Sequence, residues 1–234
     1  MNRRQLLAGA CVAFSSRPGF AAVPEWQQQL TVWLKDNTDG AATLGPKLLP
    51  PEDPAWAEAH NILDSAPISH TPLDVARFFL GDIPQKWIKA WRTSEYANPV
   101  VVLFFAATDT KPMGDQTAWC AAFMNWCLRR CDIAGTNSAS SQSFVGWGDT
   151  VWTPPGNLPG KASRGDVAIF RHKSDPAHGH VAFFEEISKD QPKSIVVVGG
   201  NHISGKTHLI QEKSLKVDVD LELIRVATVK GLRR

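Results

Sequence analysis

The apolar pattern of this 234-residue chain changes period at Pro159, and that change limits the folds open to it. Ahead of Pro159 apolar residues recur at helical spacing; after it they fall in short strand-like runs separated by turn residues. Residues 24–36 predict an amphipathic helix with Trp26, Leu30, Trp33 and Leu34 on one stripe, and 36–53 a Gly- and Pro-rich loop. Helices are predicted over 54–64 and 72–80. Another is expected from Asn98 as N-cap and Pro99 as first helical residue through Ala107. A further helix is expected over 117–132, with Gly135 as its terminator, and a short one over 138–147. Strands are expected at 166–170, 180–187, 194–198 and 221–226. Helices first and strands second predict an α+β fold rather than alternating α/β units.

Composition narrows the function classes. Hydrophobic residues make up 43% of the chain, with nine tryptophans, enough for a substantial core. The formal charge is +2, but Arg3, Arg4 and Arg17 contribute +3 within the first 21 residues, where no acid occurs, so the remainder stands at −1. Nothing here points to nucleic acid as a partner. The N-terminus itself predicts an export signal over 1–22. Its basic start, Met1-Asn2-Arg3-Arg4-Gln5, precedes the apolar run Leu6–Phe14 and a small-x-small cleavage site at Gly19-Phe20-Ala21. The paired arginines resemble a twin-arginine signal, so the expected location is periplasmic or secreted. Cys11 falls inside that signal, and its short apolar run argues against lipidation. Residues 23–110 then form a helical extension and 111–234 the catalytic unit.

Cys120 carries the chemistry. Removing the signal leaves Cys120, Cys127 and Cys131, which share one helix face with Met124. Cys127 and Cys131 are predicted as core thiols, with an i,i+4 disulfide poorly directed on a helix. Cys120 sits in the first turn, where unpaired backbone N–H groups and the helix dipole favour a thiolate. His180 starts a later strand just after Gly179, and its ring shares a face with the small Ala182 and with Phe184. A side-chain amide at Asn201 could accept from one imidazole nitrogen and leave the other for the thiol proton. Backbone N–H of Cys120, joined by Gln116, could form an oxyanion hole. Trp119, Trp147 and Trp152 are candidate groove contacts, although Trp119 and Trp147 suit a core better, since aromatics mostly pack. Asp166 reads as a turn or cap residue.

Four motifs in this order resemble the NlpC/P60 and CHAP cysteine hydrolases: Trp119-Cys120-Ala121-Ala122-Phe123, Arg164-Gly165-Asp166-Val167, Gly179-His180-Val181 and Gly199-Gly200-Asn201. The similarity spans about residues 117–202, and Ala97–Thr108 also looks like a bacterial subgroup of these enzymes. The resemblance implies a papain-like core, with N-terminal helices packed on an antiparallel sheet. It also implies peptidoglycan peptides as the substrate, Cys120 as nucleophile, His180 as base and Asn201 orienting the imidazole. It calls for no cofactor and no metal.

Two other patterns compete. Gly200–Thr207 fits the phosphate-cradling G-x-x-x-x-G-K-T, yet only 27 residues follow Thr207, so a hairpin is expected there and no nucleotide. His172, His178, His180, His202 and His208 are dense enough to suggest a zinc-dependent wall hydrolase. A non-catalytic wall-binding module is the third alternative.

Overall fold

The computed structural model describes residues 47–229, apart from 69–70, 82, 92–94, 111–113 and 156–157. The expected export signal, Cys11 and the helix over 24–36 lie outside the described residues. Four α-helices are described: α1 (Pro54–Ser65), α2 (Pro72–Phe78), α3 (Pro99–Phe104) and α4 (Cys120–Arg130). The strands are β1 (Asp149–Trp152), β2 (Val167–His172), β3 (Gly179–Ile187), β4 (Ser194–Ser204), β5 (Thr207–Lys216) and β6 (Leu221–Thr228). The expected α+β class is what is observed. Among the described residues, no helix is long and apolar enough to cross a membrane.

Helix ends follow their local chemistry. Asp53, Thr71 and Asn98 cap α1, α2 and α3 with side-chain oxygens, each ahead of a proline in the first turn. The expected helix from Asn98 to Ala107 tightens into a 3₁₀ turn at Phe105–Ala107, and the short helix near 138–147 is a 3₁₀ segment, Ser141–Gly146. α4 is shorter than the expected 117–132. It ends at Arg130, with Asp132 rather than Gly135 in the left-handed conformation (φ 56°). Asp132 N–H then bonds Arg129 O, and Ile133 N–H bonds Leu128 O, closing a Schellman motif.

The six strands form one antiparallel sheet in the order β1-β6-β2-β3-β4-β5. Neither β1 nor β5 is among the expected strands, and β4 extends beyond the expected 194–198. It runs through Gly199-Gly200-Asn201 to Ser204. Gly200–Thr207 is the β4–β5 hairpin, with Ser204 paired to Thr207.

One sheet face carries the large core. Val167, Ile169, Val181, Phe183 and Val198 pack there with α4, and with Leu63, Phe79 and Phe104 from the preceding helices. The described part of 47–110 therefore shares its core with the sheet. It is also stitched to the sheet's outer edge, where Ala90 N–H bonds His208 O and Ile210 N–H bonds Ile88 O. Buried Asn98 donates to the carbonyls of Lys86, Trp87 and Lys89. The Asp115 carboxylate then accepts from the backbone N–H groups of Trp91 and Asn98, fixing the approach to Cys120.

Candidate active site

Cys120 is the first residue of α4, and its N-cap, Trp119, supplies no side-chain hydrogen bond. The first-turn N–H groups are therefore left for another acceptor. The Cys120 sulfur takes that role: the backbone N–H groups of Cys120, Ala121 and Val181 are directed at it. The Val181 N–H is available for a topological reason. In β3 the even-numbered residues bond to β2, as in Phe184 N–H to Asp166 O, so Val181 points its N–H toward β4. The β3–β4 pairing covers only Phe183–Ile187. Beyond it the Val181 N–H is left to the Cys120 sulfur, one residue from His180.

Both side chains are enclosed, Cys120 being 2% and His180 7% exposed. Burial pushes the Cys120 thiol up to about 11, against the opposing pull of the three N–H groups. Burial, assisted by the Lys213 charge, pushes the His180 imidazole down to about 4. At neutral pH the pair rests as thiol and neutral imidazole. His180 Nε2 is buried with no hydrogen-bond partner.

His180, Ala182 and Phe170 share the sheet face opposite α4, and Ala182 and Phe170 belong to a second, smaller core there. Room beside the imidazole comes from Ala182, as expected, and also from Gly199, whose added Cβ would lie 2.9 Å from Ala182 Cβ. Another imidazole fills that room. The ring of His202 lies 4.5 Å from that of His180, centroid to centroid. His202 is 3% exposed, its Nε2 also lacks a partner, and burial with the His180 and Lys213 charges holds it well below the usual histidine range.

Asn201 is placed differently from the expectation. Its Oδ1 meets His208 Nδ1 at 2.8 Å, so the amide is engaged by a different imidazole. The cause is a β-bulge. Gly199 pairs with Gln211 but His202 with Leu209, so β4 carries one extra residue. Asn201 absorbs it at φ 61°. The insertion flips the alternation, and His202 rather than Asn201 arrives on the His180 face. The sequence signal was present in the Gly199-Gly200 pair inside a strand-like run, since strand glycines mark bulges and close approaches. Gly200 supplies the approach: a Cβ there would lie 2.4 Å from the Trp119 ring.

The remaining candidates scatter. Gln116 is exposed, and its Nε2 donates to Asp115 Oδ1 at 3.0 Å. Trp119 is fully buried beneath Gly200, in the core. Trp147 is half-buried, donating to Ala134 O and packing edge-on against Phe144. Trp152 lines a cavity on the second-core face. Asp166 is a turn residue whose carboxylate accepts from Ser163 N–H. Cys120, Cys127 and Cys131 are all free thiols.

The histidine-rich stretch does not converge. His172 meets Ser174 and His178 meets Asp175, away from the His180–His202 pair. Among the described residues, no three His, Cys, Asp or Glu side chains are grouped to hold a metal ion.

Comparison with known families matches residues 112–201 to the CHAP domain. Comparison with curated proteins and with solved structures gives no match.

Proposed function

From the premise that residues 112–201 are a CHAP domain, we propose that the protein is an exported cysteine hydrolase cleaving an amide bond of peptidoglycan. The observation that carries the proposal is the Cys120 sulfur at the start of α4, receiving the N–H of the residue after His180. Export is supported by Arg3-Arg4 ahead of the apolar run Leu6–Phe14.

In the proposed reaction, the thiol proton passes to the His180 imidazole as the sulfur attacks the scissile carbonyl carbon. The carbonyl π electrons move onto oxygen. Collapse of that adduct expels the amine, which takes the proton from His180 and leaves a thioester on Cys120. Water then loses a proton to His180 as it attacks the thioester, releasing the acid and restoring the thiol. Because both groups rest uncharged, proton transfer accompanies attack rather than preceding it as a standing ion pair. First-turn N–H groups of α4 are the nearest donors for the developing oxyanion. Gln116 is a second candidate, with one amide hydrogen left after Asp115 takes the other. His202 is the positioning residue for His180 in this scheme, through ring packing rather than through the hydrogen bond expected of Asn201.

The test is mass spectrometry of products after incubating mature protein with peptidoglycan, alongside Cys120→Ala. Fragments made only by the wild type are expected, and their masses identify the bond. Wall binding without fragments from either protein would instead identify a binding module.

A further inference from the structure

One cavity lies apart from Cys120 and His180, neither of which lines it. It is about 660 Å³, and it opens on the sheet face that carries His180 and the second core. A volume of that order accommodates a small ligand. Trp152, Leu158 and Leu223 give it an apolar wall, while Lys193, Asp218 and Glu222 supply its charged groups.

We propose that this cavity is a carbohydrate subsite, holding an uncharged N-acetylated sugar of the glycan strand with its apolar ring face on Trp152 and its hydroxyls on Asp218 and Glu222. The proposal rests on the proposed function, because peptidoglycan supplies that sugar.

Charge balance selects the ligand class. Asp218 is already neutralised by Lys173, whose Nζ lies 2.5 Å from its Oδ1. Lys193, which also acts on Asp218, is the second cation of the cavity, and Glu222 the second anion. Two cations and two anions leave no net charge to hold a phosphate polymer or a free amine. What remains is an aromatic plane flanked by hydrogen-bond acceptors, which suits a ring with one C–H face and a hydroxylated rim. The backbone that carries these acceptors is paired: Asp218 and Glu222 form a β-bridge, and Val217 N–H bonds Lys193 O at 3.0 Å.

Placement fits a wall substrate. Leu223 pairs with Phe170, and Phe170 with His180. The cavity wall at Leu223 therefore lies two strand spacings, about 10 Å, from His180 in one cross-strand row. A glycan seated in the cavity would hold its attached peptide in the neighbourhood of the reaction centre.

The experiment is titration of the whole protein with the N-acetylglucosamine trimer, read by calorimetry and by the Trp152 indole N–H resonance. Saturable binding that shifts this resonance is expected, at least tenfold weaker in Trp152→Ala and severalfold weaker in Glu222→Gln. Absence of binding, or equal binding by both variants, overturns the proposal. Preferential binding of a diamino-acid peptide, lost in Glu222→Gln, overturns it in favour of an amine site. Should Trp152→Ala not fold, the indole shift in the unsubstituted protein decides. The trimer carries no peptide to cut, so failure of hydrolysis and failure of sugar binding read separately.

Discussion

The two faces of the sheet are built to different ends. On the α4 face, aromatic rings lock edge-to-face: Phe104 contacts Phe79, Phe123 and Trp126 with centroids 5.1–5.6 Å apart. On the opposite face the apolar cluster is smaller, two imidazoles lie buried with unpartnered nitrogens, and a cavity remains. Packed apolar surface stabilises without regard to protonation, whereas an unpartnered buried imidazole costs stability and keeps a lone pair available. Cys120 joins the two. Its helix belongs to the first face, and its sulfur reaches around β3 to the backbone beside the second.

The sharpest way to break this division is to remove a group from each side. Cys120→Ala and His180→Ala are each expected to lower hydrolysis by about four orders of magnitude or more, with the melting temperature kept or raised. Phe104→Ala should instead cost about 3–5 kcal/mol of stability through the cavity it opens, measured by denaturant unfolding. Turnover surviving in Cys120→Ala would end the assignment of the nucleophile. A melting temperature in Phe104→Ala equal to wild type would end the assignment of the first face as the stabilising one.

Acid should separate the faces more gently. His180 titrates at about 4 in the folded chain against 6.5 for the ordinary group, so the unfolded chain binds the extra proton. Its contribution is present in full above pH 6.5 and is lost as pH falls from 6.5 through 4, about 3 kcal/mol for this residue. His202 shifts in the same direction. Stability measured at pH 7 and pH 4.5 should differ in the wild type and differ less in His180→Phe; an unchanged difference would show that the imidazole is not the cause. The acid limb of kcat/KM should likewise fall near 4, where His180 can no longer accept a proton.

Much of the first face was legible in the sequence because packing follows periodicity. Asn98-Pro99 announced one helix start, apolar spacing marked the helices at 54–64 and 72–80, and the Cys120 face announced the fourth helix. The second face depended on facts that no period carries. The bulge at Gly199–His202 inverts side-chain alternation through one residue at positive φ, and β1 is only four residues long. Cys120 and His180 were legible as an ordered pair of motifs. The Val181 N–H was not, because it is freed only where β4 departs from β3.

The smallest expected effect is the most discriminating, because it tests the bulge itself. Asn201 and His202 are adjacent, and strict alternation would have put Asn201 beside His180. With one residue inserted, the His202 ring packs tilted against His180 while Asn201 holds His208. His202→Ala is therefore expected to lower kcat about tenfold and to move the acid limb of the pH profile upward, since it opens space beside the ring and relieves part of the burial that holds the His180 imidazole down. Asn201→Ala should change kcat only about twofold and leave the acid limb in place, because its amide contacts the neighbouring strand. His202→Gln, which keeps a polar group of similar reach, should recover part of the rate. If Asn201→Ala instead proved the more damaging and shifted the limb, the amide would have to leave His208 and turn to His180 during the reaction. The two residues would then exchange places across the bulge.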